Sequence, residues 1–362
     1  MGNNIHPQQI SLFDVIQDRG TLRLERERER ESKRRPGHIS YEDIISIENL
    51  LEAWREFLCG KRKRKDVAEF SLHLTDHVLA LHRELAEKTY RHGPYHAFKV
   101  NDPKPRDIHK ARVRDRLVHH AVYRMLYPLF DRKFIFDSYS CRRDKGVHRA
   151  INRFRSFAGV VSRNRTRTAW VLKCDIRKFF ANIDHVILLD LLGSDIRDAD
   201  IVWLLAQVIG SFHTTGKSGV GLPLGNLTSQ LFVNVYMNAF DQFIKRELKA
   251  RYYIRYADDF VVFHENKNTL VGLLPKISSF LGTRLKLSLH PLKVSIETVA
   301  SGIDFLGWVH FPHHRVLRTS TKRRMLKKME RERADDAIAS YLGLLSHGNA
   351  YRLIRKLTDP AP

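Results

Sequence analysis

The chain has 362 residues, 43% of them hydrophobic and 10% aromatic, which is enough to bury the cores of about two or three domains. The net charge of +23 at pH 7 indicates a polyanionic partner, because neutralising a phosphate releases condensed counterions. Three cysteines without CxxC spacing exclude a disulfide framework and a cysteine-based zinc site. No apolar run is long enough to span a bilayer, and Met1–Arg30 lacks an apolar signal segment. We therefore expect a cytoplasmic protein without a membrane partner.

The first part of the chain is predicted to be a charged arm followed by helices. Met1–Gly37 contains a mixed-charge run with little to bury, which predicts a mobile arm. From Ser40 apolar residues recur at spacings of three and four, which predicts one helix before the basic run Lys61–Lys65 and another after it. Phe98–Ile108 is predicted to be a β-hairpin, and helices are expected over Arg112–Ala158.

The second part of the chain mixes strands with helices. In order, the predicted elements are the strand Ala169–Ile176, helices near Asp184 and over Ile201–Ile209, the glycine-rich loop Gly216–Gly225 leading into a helix, the strand pair Tyr252–Phe263, the helix Leu270–Leu281, and the short strands Leu285–Leu289, Val294–Ile296 and Phe305–Val309. From Arg315 a helical tail carries twelve Lys or Arg against five Asp or Glu. This order predicts an α+β fold.

Two adjacent aspartates interrupt the strand pair, in the segment Tyr256-Ala-Asp258-Asp259. Aspartate is uncommon inside strands, so a hairpin turn is the natural place for both side chains. Two carboxylates there repel each other unless a hard cation neutralises them. Alone, the pair favours a solvent-exposed turn, because aspartate is common in turns.

A third aspartate, Asp175, ends the predicted strand Ala169–Ile176 just before two phenylalanines. Taken alone it fits a helix N-cap or a core ion pair. A strand-end acid beside a double-aspartate hairpin is the arrangement used in two-metal phosphoryl transfer, where carboxylates hold two Mg²⁺ ions about 3.5–4 Å apart. The two features together favour catalysis.

Five segments resemble the successive motifs of reverse transcriptases, in the order that this family uses. They are Asp175-Ile-Arg-Lys-Phe-Phe180, Leu222-Pro-Leu-Gly-Asn-Leu-Thr-Ser-Gln230, Tyr256-Ala-Asp-Asp259, His290-Pro-Leu-Lys293 and Phe305-Leu-Gly307. The resemblance covers about Tyr41 to Trp308. It implies an RNA-directed DNA polymerase with right-hand architecture, made of fingers, a palm with an antiparallel sheet and a helical thumb. The implied division is an arm at 1–37, N-terminal helices and fingers at 38–168, a palm at 169–312 and a basic thumb at 313–362.

The resemblance also implies roles for individual residues. The metal ligands, for two Mg²⁺ ions that Mn²⁺ can replace, are the catalytic Asp175, Asp258 and Asp259 with the carbonyl of Ile176. The nucleotide-binding residues are Lys104, Arg106, Arg112, Phe180, Leu224, Gly225, Gln230 and Lys293, and the primer grip is Phe305, Leu306 and Gly307. Phe180 matches the gate that excludes a ribose 2′-hydroxyl, with core packing as the alternative. Lys293 matches a lysine near the leaving pyrophosphate, with a surface lysine as the alternative. Other nearby cations are equally available to the triphosphate, namely Lys99, Lys110, Arg114 and Arg116.

One motif points to a subclass within the family. Reverse transcriptases of group II introns and retrons usually have Gln-Gly and Ser-Pro where this chain has Leu224-Gly225 and Ser229-Gln230. The form found here is similar to that of diversity-generating retroelements, whose enzymes copy a template-repeat RNA with errors at adenines. The resemblance thus implies as partners an RNA template, a DNA or RNA primer, dNTPs, a small basic accessory variability protein and structured retroelement RNA. We expect no maturase-sized extension after the thumb. The alternatives are a defence-associated or other unassigned prokaryotic enzyme (retron-like or group II-like) and a catalytically silent nucleic-acid-binding scaffold.

Overall fold

A computed structural model describes residues 39–101, 105–331 and 335–358 of the protein. The chain divides into two units between Ser40 and Tyr41, and the architecture given below is that of the second unit. The predicted arm Met1–Gly37 and the predicted nucleotide-binding residue Lys104 lie outside the described residues.

The second unit begins with four helices. They are α1 (Tyr41–Ile45), α2 (Ile47–Leu58), α3 (Lys65–Leu72) and α4 (Leu74–Ala86). The first predicted helix is therefore broken at Ser46, whose hydroxyl accepts a hydrogen bond from the Asn49 amide and caps α2. Such a cap satisfies an amide that the start of a helix otherwise leaves free.

The predicted hairpin is present as β1 (His96–Val100) paired antiparallel with β2 (Arg106–Lys110). Two long helices follow, α5 (Val113–Asp131) and α6 (Val147–Val161). The N–H of His109 in β2 donates to the carbonyl of Leu224 at 3.0 Å. This hydrogen bond ties the hairpin to the loop before helix α9 (Leu227–Gln242).

A four-stranded antiparallel sheet forms the centre of the unit, with strand order β4-β5-β3-β6. Its strands are β3 (Trp170–Asp175), β4 (Tyr253–Tyr256), β5 (Asp259–His264) and β6 (Ser295–Thr298). Helix α6 covers one face, where Phe154 packs against Phe263 at 4.7 Å between ring centroids. On the other face Phe240 of α9 contacts Phe260 at 5.1 Å. The strands β3, β4 and β5 are thus largely buried between helices, whereas the edge strand β6 is partly exposed.

The segments between the strands of the central sheet are largely helical. These elements are the short 3₁₀ helix Phe180–Asn182, α7 (His185–Gly193), α8 (Ala199–Gly210), α9 (Leu227–Gln242), the π-helical turn Phe243–Glu247 and α10 (Lys267–Leu285). The predicted strand Leu285–Leu289 is wrong. Helix α10 runs on to Leu285, and Lys286 ends it with φ of 49°, in the left-handed region. Leu289 forms just one isolated bridge, to Ile176.

A smaller sheet, β7-β8-β9, and three helices complete the unit. They are β7 (Ile303–Phe305), β8 (Trp308–His310), β9 (Arg315–Leu317), α11 (Thr319–Arg331), α12 (Asp335–Leu345) and α13 (Tyr351–Thr358). The predicted single strand Phe305–Val309 is wrong, because a turn at Leu306 and Gly307 divides it into two paired strands. The boundary expected after residue 312 falls between β8 and β9, which are paired. The alternation of helices and antiparallel strands confirms the α+β class.

Gly348, in the turn between α12 and α13, packs against the ring of Trp308. A Cβ atom at this position would lie 2.0 Å from Trp308 Cζ3. We therefore expect Gly348→Ala to lower the free energy of unfolding by about 1–3 kcal/mol, measured by urea denaturation, because the added methyl group overpacks the contact.

The matched control is Gly343→Ala in α12, where a Cβ atom meets nothing within 4 Å. Alanine should stabilise that helical position by up to about 1 kcal/mol. Equal effects of the two substitutions would contradict the tight contact with Trp308.

Candidate active site

Three aspartates come together at one end of the central sheet. β3 and β5 are antiparallel, and their register places Asp175, the last residue of β3, directly opposite Asp259, the first residue of β5. Asp258 precedes Asp259 in the turn from β4. Residues opposite each other in an antiparallel pair have Cβ atoms about 4.5–5.5 Å apart, so the strand pairing brings these carboxylates together across a large separation in sequence.

The turn that carries Asp258 is held by the main chain of β3. The N–H of Ile176 donates to the Asp258 carbonyl at 3.2 Å. Ala257 has φ of 55°, in the left-handed region that side chains other than glycine seldom adopt. The small residue alanine occupies this strained position, between Tyr256 and the two aspartates.

Burial and mutual repulsion raise the pKa values of two of these carboxylates. Burial, followed by the charges of Asp258 and Asp175, raises the pKa of Asp259 to about 7. Burial and Asp175 also raise the pKa of Asp258, and the cations Lys293 and Arg106 oppose that increase. Burial and mutual repulsion therefore disfavour the charged form of these acids, which is the condition that a bound divalent cation relieves.

Lys293 lies directly against this cluster. Its Nζ atom is 2.7 Å from Oδ2 of Asp175, whose side chain is 9% exposed. Within the described ranges, no three His, Cys, Asp or Glu side chains are placed to hold a metal ion jointly. The donor set nevertheless fits a hard divalent cation, because Mg²⁺ and Mn²⁺ prefer carboxylate and carbonyl oxygens.

Arg106 and Arg112, two of the cations predicted to bind the triphosphate, lie in different places. Arg106 begins β2 and is exposed, and its charge acts on Asp258. Arg112 is the residue before α5, where its Cδ atom packs beside Gly93. The structure therefore relates Arg106 to the carboxylates electrostatically and places Arg112 against the Gly93 turn.

The adjacent rings of Phe179 and Phe180 differ in how far they are exposed. Phe179 is 3% exposed and belongs to the core, whereas Phe180 is partly exposed at the start of a 3₁₀ helix. The Phe180 carbonyl accepts a hydrogen bond from the Leu222 N–H at 2.8 Å. Phe180 thus has the accessibility that a gate requires, and simple core packing describes Phe179 better.

The loop Leu224–Gly225 lies against the β1–β2 hairpin. Gly225 has φ of 106°, and a Cβ atom there would lie 2.9 Å from Cγ2 of Ile108. Glycine is therefore needed for both conformation and space. Gln230 lies one turn into α9 and shares with Gly225 the lining of a cavity of about 340 Å³.

The predicted primer grip forms the turn between β7 and β8. Phe305 is buried, and Leu306 and Gly307 have φ of 52° and 86°. Positive φ at both central residues is typical of the tight hairpin turn whose twist matches the flanking strands.

Arg255 is a residue that sequence reasoning missed. It is fully buried in β4 and makes a bidentate ion pair with Asp241 of α9, with distances of 2.8 Å from Nε and 2.7 Å from Nη2. Its Nη1 atom also donates to the carbonyl of Ala257 at 3.3 Å, within the turn that carries Asp258. A charged residue in an otherwise apolar strand was the signal, since it needs a buried partner.

Comparison with known proteins identifies the family. Residues 99–310 match the family model described as "Reverse transcriptase (RNA-dependent DNA polymerase)". Protein YkfC of Escherichia coli K12 is 27% identical over 272 residues, which cover 64% of this chain and 69% of YkfC. The group II intron-encoded protein LtrA of Lactococcus lactis subsp. cremoris is 27% identical over 159 residues, 42% of this chain and 25% of LtrA.

Solved telomerase structures are also similar to this chain. Apo telomerase from Candida tropicalis aligns with a TM-score of 0.49 and 12% identity, over 65% of this chain and 50% of that chain. The aligned parts thus span half of the telomerase chain and a quarter of LtrA.

The match to the family model covers more than half of the residues. The chain belongs to the reverse transcriptase family, the class of RNA-directed DNA polymerases, and it has the right-hand polymerase fold of that family. Among the helices that the structure describes, none has the length and hydrophobicity needed to cross a bilayer.

Removal of the Arg255 side chain should be costly. We expect Arg255→Met to lower the free energy of unfolding by about 3–5 kcal/mol in urea denaturation, because it leaves the Asp241 carboxylate buried and unpaired. The double variant Arg255→Met/Asp241→Leu should recover much of that loss, since apolar side chains then replace both charges.

Lys65→Met is the control, because the Lys65–Glu69 pair is exposed and its loss should change stability by less than about 1 kcal/mol. Primer extension should remain impaired in the stable double variant, since the Ala257 carbonyl has lost its donor. Full activity in that variant would contradict a role of Arg255 in positioning the turn.

Proposed function

We propose that this protein synthesises DNA on an RNA template by two-metal nucleotidyl transfer at the aspartate cluster. One observation carries the proposal: the antiparallel pairing of β3 with β5 sets Asp175 opposite Asp259 and beside Asp258, in a member of the reverse transcriptase family. In this reaction the primer 3′-hydroxyl attacks the α-phosphate of a dNTP, and pyrophosphate leaves.

The metal ligands in this proposal are the three aspartates and the carbonyl of Ile176. Two Mg²⁺ ions, or Mn²⁺ in their place, would activate the attacking hydroxyl and neutralise the leaving pyrophosphate. The electrostatics support this assignment, because burial and mutual repulsion hold the pKa of Asp259 near 7 when no cation is present.

Basic side chains beside the aspartates fit the triphosphate. Lys293 contacts Asp175 and therefore lies within reach of a phosphate held at the same carboxylates. Its ammonium group can protonate the pyrophosphate as it leaves. Arg106, on the exposed hairpin, supplies a guanidinium that binds phosphate oxygens bidentately. Lys104 and Arg112 remain candidates for the same task.

The nucleotide itself is proposed to lie between Phe180 and the Leu224–Gly225 loop. The partly exposed ring of Phe180 would exclude a ribose 2′-hydroxyl. Gly225 would contact the base pair through its main chain, because Ile108 fills the space on its Cβ side, and Gln230 would lie behind it. Phe305, Leu306 and Gly307 would support the primer end.

The domain roles and partners follow from the same proposal. The fingers, palm and thumb would occupy 38–168, 169–312 and 313–362, with the basic thumb contacting template–primer phosphates.

The aspartates are tested by primer extension on an RNA template with Mg²⁺. We expect Asp258→Asn to reduce the rate by about 10³-fold or more, because loss of a metal ligand removes several kcal/mol of transition-state stabilisation. EDTA should abolish extension, and added Mg²⁺ should restore it.

Asp190→Asn, an exposed position on α7, is the control and should keep the wild-type rate. Extension by Asp258→Asn at the wild-type rate would refute the site. Equal inactivity of Asp258→Asn and the wild type would instead favour the silent scaffold.

For the subclass, we propose a diversity-generating retroelement enzyme that makes mutagenic cDNA from a template-repeat RNA, with a small basic accessory variability protein and structured retroelement RNA as partners. The supporting feature is the Leu224-Gly225 … Ser229-Gln230 form. The similarity to LtrA favours a second candidate, a group II-like enzyme. A neighbouring pair of near-identical repeats that differ at adenines would distinguish the two.

Leu224 offers a biochemical test of the subclass. An apolar side chain here lacks the hydrogen bond that glutamine makes in many relatives, and we infer that this loosens base selection. Leu224→Gln should therefore reduce misincorporation opposite template adenine several-fold, measured by sequencing of the cDNA.

Leu224→Met is the control, because it conserves volume and adds no hydrogen-bonding amide. An unchanged error spectrum in Leu224→Gln would reject the link to fidelity while leaving the polymerase assignment intact.

A further inference from the structure

A cavity of about 230 Å³ lies at the base of the thumb, away from the aspartates. Helix α6, the loop between β8 and β9, and the turn between α12 and α13 line it. The β7–β8 hairpin has Leu306 and Gly307 at one end and this cavity at the other. Since β8 spans three residues, the turn at Leu306 and Gly307 lies about 10 Å from the cavity. The cavity is therefore distinct from the proposed primer grip.

The lining of the cavity is basic and contains no carboxylate side chain. Its ionisable members are Arg155, His310, His314, Arg315 and His347. Buried or partly buried cations are normally paired, so a partly buried arginine in a lining without an acid is unusual.

Arg315 has a donor that the protein does not use. Its Nε atom donates to the carbonyl of His347, and its Nη2 atom donates to Oδ1 of Asn152 at 2.8 Å. Its Nη1 atom is buried and has no partner among the described residues. An unmade hydrogen bond of a charged group is costly, and a guanidinium fork matches the oxygens of a phosphate.

The lowered pKa values of two lining residues also favour an anion in this cavity. Burial and the charge of Arg155 both lower the pKa of Arg315. Burial, helped by the charge of Arg315, lowers the pKa of His310 to about 4. The hydrogen bond of His310 to the Phe305 carbonyl opposes this decrease only in part. His310 is therefore neutral near pH 7, whereas the guanidinium groups of Arg155 and Arg315 repel each other, and a bound anion would relieve that repulsion.

We propose that this cavity binds a phosphate group through Arg315, with Arg155 and His314 completing the site. The phosphate belongs either to an RNA backbone or to free inorganic phosphate, and the chemistry of recognition is the same for both. The site is separate from the polymerase centre and does not depend on the function proposed there.

The first arm of the test uses the full-length protein without divalent metal. Thermal unfolding is followed in sodium phosphate and in sodium chloride of equal ionic strength, because a ligand that binds the folded state raises Tm. Phosphate should raise Tm of the wild type, and Arg155→Gln/His314→Gln should lose at least half of that shift. Both residues are exposed, so the double variant should fold. Arg315→Gln should also lose the shift, and the exposed control Lys276→Gln/Arg284→Gln should keep it.

The second arm identifies the source of the phosphate with a 20-nucleotide RNA hairpin. If the site holds an RNA phosphate, Arg155→Gln/His314→Gln should reduce the slope of log affinity against log salt by about one. An unchanged slope with a lost Tm shift assigns the site to free phosphate. An unchanged slope and an unchanged Tm shift would overturn the proposal. Thermal unfolding needs no template, dNTP or metal ion, so this outcome is independent of the polymerase test.

Discussion

The repulsion between carboxylates at one sheet end is the constraint on which this molecule depends. Asp175 and Asp259 are register partners, and Asp258 lies beside them in the turn. Such an arrangement is unfavourable on its own, as the raised pKa values of Asp258 and Asp259 indicate. It persists because the scaffold beneath it is rigid, with β3 paired on both sides and the strands β3, β4 and β5 largely buried between helices.

A buried ion pair contributes much of that rigidity. The guanidinium of Arg255 is saturated by Asp241, Asn234 and Ser138, and it also reaches the Ala257 carbonyl. Burial of the pair brings little net stability, because desolvation offsets much of the attraction. Its effect is geometric, since it links α9 to the hairpin turn and leaves that turn few alternative conformations.

Much of the fold and of the site follows from local patterns in the sequence. Hydrophobic periodicity predicts the helices, and two β-forming runs around Asp258 and Asp259 predict the hairpin. The approach of Asp175 to Asp259 was predictable once the family motifs were recognised. The contact of Lys293 with Asp175 and the pairing of Arg255 with Asp241 were not, because each depends on how distant elements pack. The apolar pattern alone also missed the turn at Leu306, since leucine rarely adopts positive φ and Phe305–Val309 resembles one strand. The primer-grip motif, by contrast, implies a tight turn there.

The main chain around Asp175 differs from that around Asp258 in one respect that has a functional consequence. The carbonyl of Asp175 accepts a hydrogen bond from the His290 N–H at 2.8 Å, and the N–H of Arg177 donates to the Ser288 carbonyl at 2.9 Å. Asp175 is therefore clamped from a second segment, whereas Asp258 stands at a hairpin tip. Ile176 and Arg255 in turn donate to the carbonyls of Asp258 and Ala257 at that tip, so both acids are fixed at the main chain. Ions of slightly different radius therefore have to be accommodated by rotation of the carboxylate side chains.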